Sequence, residues 1–156
     1  MNSMATYEIY ARHGEWDVTT GDLTDVGRAQ ADNLAKRIQL FLAQDDKPTI
    51  ISSEATRAQE TAATIAETLG LSYELTIGLG DGTGRATSER WMMEKLAQYF
   101  TLPGIICVTH TYQADVLSKG ARNKNPLFYD QDINELPEGG AYMFHHKTGE
   151  VVLFQG

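Results

Sequence analysis

The sequence predicts an α/β sandwich with a largely parallel sheet and an antiparallel hairpin at the end of the chain. Short apolar runs alternate with amphipathic helical segments through residues 7–117, which is the pattern of successive βαβ units. Residues 141–154 then hold two apolar runs around Lys147-Thr148-Gly149. Such a hairpin adds an antiparallel edge to a parallel sheet.

Length and charge limit the possible functions. A chain of 156 residues is expected to form one domain, residues 1–156, with its own core. The net charge of −8 argues against nucleic acid or an acidic membrane as the main partner. A single cysteine, Cys107, excludes an internal disulfide framework. Without an apolar run of roughly 20 residues or a signal-like N-terminus, we expect a cytoplasmic protein, a monomer or weak dimer.

Four elements are predicted in the first half of the chain. A short extended run comes first and ends at Arg12-His13-Gly14. The helix after it has Thr24 as its N-cap and apolar residues at helical spacing, and it ends before Lys47-Pro48. An apolar run ending in two serines follows, and then a helix with Gly70 at its stop. These four elements span residues 7–12, 25–46, 49–53 and 56–69.

The second half of the chain is predicted to continue the alternation. A strand at 72–77 leads through a glycine-rich loop to a third helix, which Pro103-Gly104 terminates. The most apolar strand, 105–109, ends at His110, and a short helical stretch to Leu117 follows it. A polar loop is expected next, either solvated or docking an acidic partner through three basic residues, Lys119, Arg122 and Lys124.

Polar residues follow three of the predicted parallel strands. They are Arg12-His13-Gly14, Ser52-Ser53 with Arg57 one turn later, and Thr109-His110. In open α/β sheets, ligands bind at the carboxyl edge of the strands. Two guanidinium groups can neutralise a phosphoryl group, one imidazole can attack phosphorus, and a second can donate to the phosphoryl oxygens. We therefore expect a phosphoryl-transfer site made of Arg12, His13, Arg57 and His110.

Each of these residues, taken singly, could instead have a structural role. Arg57 could be a surface residue of its helix, His110 a packed strand-end histidine, and Arg12 an ion-pair partner of Glu15. All of them together at one sheet edge favour a common site instead.

Other chemistries fail on spacing. A cysteine phosphatase would need an arginine after Cys107 at the position that Gln113 occupies. An aspartyl-phosphate motif around Asp81 would need an aspartate where Leu79 stands. His145-His146 would point to opposite faces of a strand and could not share one metal ion. The sequence therefore predicts no metal site.

Four ordered motifs resemble those of the histidine phosphatase superfamily. They lie between about Tyr7 and His110 and read Arg12-His13-Gly14, Leu23-Thr24-x-x-Gly27-x-x-Gln30-Ala31, Ser52-Ser53-x-x-x-Arg57-Ala58-x-x-Thr61-Ala62, and Val108-Thr109-His110. The resemblance implies a three-layer α/β/α fold and no cofactor. It also implies that His13 is the phosphorylated nucleophile and that Arg12, Arg57 and His110 hold the phosphoryl group. We expect Gly14 and Thr111, each next to one of the histidines, to contact the substrate.

The sequence departs from the family where a general acid is expected. In the branch that it resembles, a glutamate after the third strand protonates the leaving oxygen, and Ile77-Gly78 stand at roughly that place. Asp81 is the nearest carboxylate in sequence and Glu89 a poorer candidate. Many members carry a Ser and an Asn soon after Arg-His-Gly, where this chain has Glu15-Trp16-Asp17-Val18. That difference argues against a mutase.

The missing glutamate bears on the substrate. An alkoxide leaving group gains about 10²–10⁴ in rate from a general acid. An imidazole leaving group, with a pKa of about 6.5, can be protonated from water or leave already protonated, and so needs no such acid from the enzyme. The sequence therefore predicts a phosphatase that acts through phospho-His13, with protein phosphohistidine as substrate. Its size also resembles the small bacterial phosphohistidine phosphatases. The alternatives are a phosphatase for small phosphate esters with Asp81 as acid, and a phosphoprotein-binding module without turnover.

Overall fold

The structure, a computed structural model, describes residues 5–80 and 89–156. In this part of the chain, strands and helices alternate as the sequence predicts. In chain order they are β1 Tyr7–Arg12, α1 Asp25–Phe41, β2 Thr49–Ser52, α2 Thr56–Leu69, β3 Tyr73–Leu75, α3 Glu89–Leu96, β4 Gly104–Thr109, α4 Thr111–Lys124, β5 Ala141–His145 and β6 Val151–Phe154.

The described strands form one sheet in the order β3-β2-β4-β1-β5-β6. The pairs β1–β4, β2–β4 and β2–β3 are parallel, whereas β5 runs antiparallel to both β1 and β6. This confirms the predicted largely parallel sheet with a C-terminal hairpin at its edge. Because β4 lies between β1 and β2, the carboxyl ends of these three strands stand side by side.

Helices cover both faces of the sheet and complete the three-layer fold. A hydrophobic core lies on each face of the sheet, and successive residues of β1 point into opposite cores. Ile9 packs with α1 and α2, and Tyr10 packs with α3 and α4. Both side chains are fully buried. No helix in the described residues has the length and apolar character needed to span a bilayer.

The fourth helix is longer than the sequence predicted. Instead of ending at Leu117 with a polar loop after it, α4 continues to Lys124. The reason is that its apolar stripe extends to Ala121, which is buried against the sheet. Basic residues in its last turn also suit the negative end of the helix dipole. The prediction of a basic loop is therefore wrong, because its three basic residues belong to α4. Lys119 pairs with Asp115, Lys124 pairs with Glu8, and Arg122 donates to the carbonyl of Gln131.

Two further element boundaries differ from the prediction. The first helix ends at Phe41, several residues before Lys47, and Asp46 accepts a hydrogen bond from the backbone of Ala43 in the turn after it. The third strand ends at Leu75, because the chain enters a 3-10 turn at Ile77–Leu79. The turn is held by Thr109, whose hydroxyl donates to the carbonyl of Leu79 at 2.6 Å.

A charged side chain, Glu8, is completely buried in the central strand. It accepts hydrogen bonds from the Tyr10 hydroxyl at 2.5 Å and from Lys124 Nζ at 2.8 Å, and its other oxygen contacts Nε2 of His146. Burial by itself would raise the pKa of Glu8, but the hydrogen bond with His146, the charge and hydrogen bond of Lys124 and the hydrogen bond from Tyr10 together hold it below its usual value. The cluster joins β1, α4 and the end of β5. The neighbouring His145 instead lies against Phe41.

Candidate active site

The carboxyl ends of β1, β2 and β4 bring together the side chains that the sequence singled out. Backbone hydrogen bonds from His13 to Thr109 and from Ser53 to Val108, both 3.1 Å, continue the parallel pairing beyond the strands. The rings of His13 and His110 lie 5.1 Å apart, centroid to centroid. Arg57, in the first turn of α2, lies between them: its Nε is 3.3 Å from His13 Nε2, and its Nη2 is 3.5 Å from His110 Nδ1.

The nucleophile candidate, His13, is held in one tautomer. Its Nδ1 lies 2.8 Å from the carbonyl oxygen of Gly14, which can only accept, so the ring proton is on Nδ1. The lone pair of Nε2 therefore faces the Arg57 guanidinium. Burial lowers the pKa of His13 to about 4; the Gly14 carbonyl opposes this shift, and the charges of His110, Arg57 and Arg12 add to it. At neutral pH the ring is an uncharged base, as nucleophilic attack requires.

We expect His13 to titrate near pH 4 rather than near its usual value of about 6.5. Between these two pH values the unfolded chain binds a proton that the folded chain does not. Stability therefore falls as the pH is lowered through this window. The imidazole carbon-bound proton resonances followed by NMR, assigned with a His13→Asn variant, measure the titration directly. A midpoint at 6.5 or above would contradict it.

Arg12 lies at the end of β1 beside this pair of histidines. Its Nη1 donates to the carbonyl of Leu136 at 3.0 Å, and its Nε is buried without an acceptor among the described residues. The ion pair with Glu15 considered from the sequence is not formed: Glu15 accepts from the hydroxyl of Thr24 instead. A buried guanidinium N–H without an acceptor suits an incoming phosphoryl oxygen.

The loop that carries Gly14 is fixed from behind by residues of the sequence motifs. A Cβ on Gly14 would lie 2.6 Å from the carbonyl oxygen of Gly27, and a Cβ on Gly27 would lie 1.9 Å from the carbonyl oxygen of Glu15. The Gly14 N–H donates to Thr61 Oγ1 at 3.1 Å, and the Glu15 N–H donates to Gln30 Oε1 at 2.7 Å. Motif glycines therefore permit the close approach of α1 to the loop, and motif polar side chains satisfy the backbone of the loop.

Replacing Gly27 with Ala should displace this loop, because the methyl group would overlap a backbone oxygen. We expect a loss of about 1–3 kcal/mol in the free energy of unfolding, the usual cost of overpacking, together with a fall in activity. Gly120→Ala in α4 is a matched control, because a Cβ there meets nothing within 4 Å. It should raise stability by up to about 1 kcal/mol through helix propensity. Urea denaturation of both variants tests this; equal effects would contradict the packing argument.

His110 has a partner that the sequence analysis did not include in the site. Ser53 Oγ lies 2.9 Å from His110 Nε2, and both side chains are buried. The hydrogen bond orients the ring so that Nδ1 faces Arg57. The signal for Ser53 was present, because the paired serines end a strand next to the one that carries His110.

Trp16 is the second site residue that sequence reasoning missed. Its ring lies under the Arg57 guanidinium, with Arg57 Cζ 3.9 Å from the ring centroid. It also meets the His13 ring edge-on at 6.4 Å. From sequence, Trp16 marked only a departure from the family pattern, since stacking across a loop leaves no periodic signal.

The remaining predicted residues fall at the margin of the site or beyond it. Thr111 is the first residue of α4, with His110 as the N-cap, at the helix end where backbone N–H groups favour anions. Asp81 lies outside the described residues. Glu89 begins α3, is exposed, and accepts from the Tyr112 hydroxyl at 3.3 Å.

Neither a thiol nor a metal cluster competes with the histidines in the described residues. Cys107 is fully buried in β4, and burial raises its pKa well above the usual value. Within residues 5–80 and 89–156, no three or more His, Cys, Asp or Glu side chains are grouped as metal ligands. That the reaction needs no metal or cofactor stays a prediction.

Comparison with known families agrees with this geometry. The sequence profile of the histidine phosphatase superfamily (branch 1) matches residues 9–101. The chain belongs to the histidine phosphatase superfamily. A comparison with the sequences of curated proteins gives no significant match.

Solved structures with this fold align with 88–97% of the histidine phosphatase chain. A protein from Agrobacterium tumefaciens assigned as the phosphohistidine phosphatase SixA has a TM-score of 0.65 and 16% identity over 97% of both chains. A mycobacterial glucosyl-3-phosphoglycerate phosphatase has a TM-score of 0.60 and 20% identity, covering 88% of this chain and 89% of its own. An Entamoeba histolytica phosphoserine phosphatase has a TM-score of 0.59 and 21% identity over 96% of both chains. At these identities the likeness establishes the fold.

Proposed function

We propose that the protein is a phosphatase that carries the phosphoryl group on Nε2 of His13. One observation carries the proposal: His13 is uncharged, its Nδ1 proton is fixed by the Gly14 carbonyl, and its Nε2 lone pair faces the Arg57 guanidinium. A base held in this way suits attack on a phosphorus atom whose oxygens bind the surrounding cations.

The reaction would proceed in two displacements at phosphorus. In the first, the lone pair of His13 Nε2 forms a bond to phosphorus while the bond to the leaving group breaks. The guanidinium groups of Arg12 and Arg57 and the ring of His110 would neutralise the phosphoryl oxygens. In the second, water attacks the phosphohistidine, releases phosphate and a proton, and restores the lone pair. Arg57 has to exchange its bond to His13 for a phosphoryl oxygen before the first step.

We propose protein phosphohistidine as the substrate class. The family's general acid would stand near Ile77-Gly78, but Gly78 is buried, where a Cβ would lie 2.9 Å from Cβ of Lys95. The other carboxylate considered as an acid, Glu89, is exposed and accepts a hydrogen bond from the Tyr112 hydroxyl. Imidazole is the leaving group that needs an acid least. The Agrobacterium relative bears a phosphohistidine phosphatase name, whereas the other two relatives bear names of ester phosphatases, so the fold itself is compatible with both.

Turnover of a phosphohistidine peptide should exceed turnover of the matching phosphoserine peptide by at least about 10²-fold, which is the lower range of a missing general acid. Both peptides are assayed in excess EDTA, with an enzyme-free sample to subtract spontaneous hydrolysis. Equal rates would contradict the substrate proposal. An Asp81→Asn variant then decides the small-ester alternative, because ester turnover that depends on Asp81 would lose the same factor.

A further alternative is a module that binds phosphoproteins without turnover. Phosphate binding with neither peptide hydrolysed would favour it over the phosphatase. In either case we expect the partner to be a phosphorylated protein or small phosphorylated molecule, and not nucleic acid or a membrane.

A further inference from the structure

We propose that Trp16 is a positioning residue for Arg57, on whose indole ring the guanidinium stays stacked while it changes its hydrogen-bond partner from His13 to the substrate. The inference rests on the proposed phosphatase function and adds to it a residue outside the four motifs. The Arg57 Cζ–ring centroid distance of 3.9 Å is that of a close cation–π contact.

The stacking leaves the donors of Arg57 in the plane where they are needed. The guanidinium carbon lies over the indole ring, and two of its nitrogens reach the histidines, with Nε at 3.3 Å from His13 and Nη2 at 3.5 Å from His110. A guanidinium can stack on an aromatic face and keep its in-plane N–H groups for hydrogen bonds. Trp16 therefore supports the guanidinium from below without using any of its hydrogen-bond donors.

The ring is held by its own loop. Trp16 pairs with Leu23 as an isolated antiparallel bridge, and the Asp17 N–H donates to the Asp22 carbonyl at 2.9 Å. Leu23 is buried, and the next residue, Thr24, caps α1 and donates its N–H to the Glu15 carbonyl at 3.0 Å. The backbone on both sides of Trp16 is thus anchored to the start of α1, which limits where the indole can lie.

The aromatic ring under Arg57 suits a guanidinium that has to change its hydrogen-bond partner. Arg57 Nε donates to the same His13 lone pair that attacks phosphorus, so the nucleophile is blocked until Arg57 turns away. A cation–π contact depends little on rotation of the guanidinium within its plane. Arg57 can therefore release His13 and meet a phosphoryl oxygen while it stays on the indole.

The kinetic test uses an aryl phosphate, which reports on the phosphoryl site alone. Trp16→Leu should lower kcat and kcat/KM by the same factor, about 10-fold, because the contact serves the transition state. Trp16→Phe, which keeps an aromatic face, should lose no more than about 3-fold. Val18→Ala, an exposed position on the same loop, is the matched control and should match the wild type. Thermal unfolding of each variant confirms that it is folded.

A double-mutant cycle separates positioning from simple packing. In an Arg57→Ala background the further Trp16→Leu change should cost less than about 2-fold in kcat/KM, because the group that Trp16 holds is gone. A Trp16→Leu loss of 10-fold in both backgrounds would overturn the inference, and so would no loss in the wild-type background.

A binding measurement keeps the inference testable if no substrate is turned over. With Trp91→Phe, Trp16 is the single tryptophan, and its fluorescence should change when orthovanadate, a phosphoryl analogue, binds. The change should disappear with Arg57→Ala. Vanadate binding, detected by calorimetry, with unchanged emission would overturn the inference. An emission change with no turnover of any phosphorylated substrate would instead reject the proposed function and leave the Trp16–Arg57 coupling standing.

Discussion

His13→Ala should reduce turnover of every phosphorylated substrate by about 10⁴-fold or more, as removal of a covalent nucleophile does. The loss should appear in kcat, because Arg12, Arg57 and His110 would still bind the phosphoryl group. The structure gives a physical reason for so large an effect. His13 combines a pKa of about 4 with an Nδ1 proton fixed by a backbone carbonyl.

The measurement combines steady-state kinetics with trapping of the intermediate. After rapid quenching at alkaline pH, wild-type protein incubated with labelled substrate should carry an acid-labile phosphoryl group on His13, located by mass spectrometry. His145→Ala is the matched control, since His145 packs on Phe41 and should leave activity and labelling unchanged. Full activity in His13→Ala, or labelling at another residue, would contradict the mechanism.

Glu8→Ala should have the largest effect on stability, about 3–5 kcal/mol in the free energy of unfolding. Loss of one member of a buried charge cluster leaves its partners desolvated and unpaired. Here the buried partners are His146 and the Tyr10 hydroxyl, and the half-buried Lys124 completes the cluster around a completely buried carboxylate. The matched control is Lys119→Ala, which removes a partly exposed pair with Asp115 and should cost no more than about 1 kcal/mol.

The contribution of Glu8 to the stability of the fold should be lost at low pH. Its pKa is lowered in the folded state, so its contribution to stability is present above the ordinary carboxyl pKa, about 4.3, and is lost as the pH falls through the folded value. Urea denaturation followed by circular dichroism at pH 7 and at lower pH measures both effects. A Glu8→Ala cost as small as that of the control would show that the cluster is not stabilising.

Much of the site could be predicted because it depends on strand ends. The sequence identifies where β1, β2 and β4 stop, and parallel pairing then brings His13, Arg57 and His110 to one edge. The fold followed from the same alternation of apolar runs and helices.

The residues that escaped prediction are those whose partners are distant in sequence. A glutamate between two apolar residues of a strand suggests a solvent-facing side chain, but Glu8 meets Lys124 and His146 more than 100 positions later. Trp16 lies on the loop between β1 and α1, and no spacing rule connects a residue there with Arg57 in α2. The length of α4 depends on the burial of Ala121. A single small residue in an otherwise polar segment does not indicate that it is buried.

The sheet order also has a consequence for synthesis of the chain. The strand β1 leaves the ribosome well before its two neighbours in the sheet, because β4 and β5 lie about 100 residues or more further along the chain. Until residues 104–109 are available, both edges of β1 are unpaired, and one edge stays unpaired until residues 141–145 follow. Glu8 likewise lacks Lys124 and His146 until those residues have been made. Nascent chains should therefore stay inactive and open to edge-to-edge association until late in translation, and chaperones that shield strand edges should increase the yield of active protein.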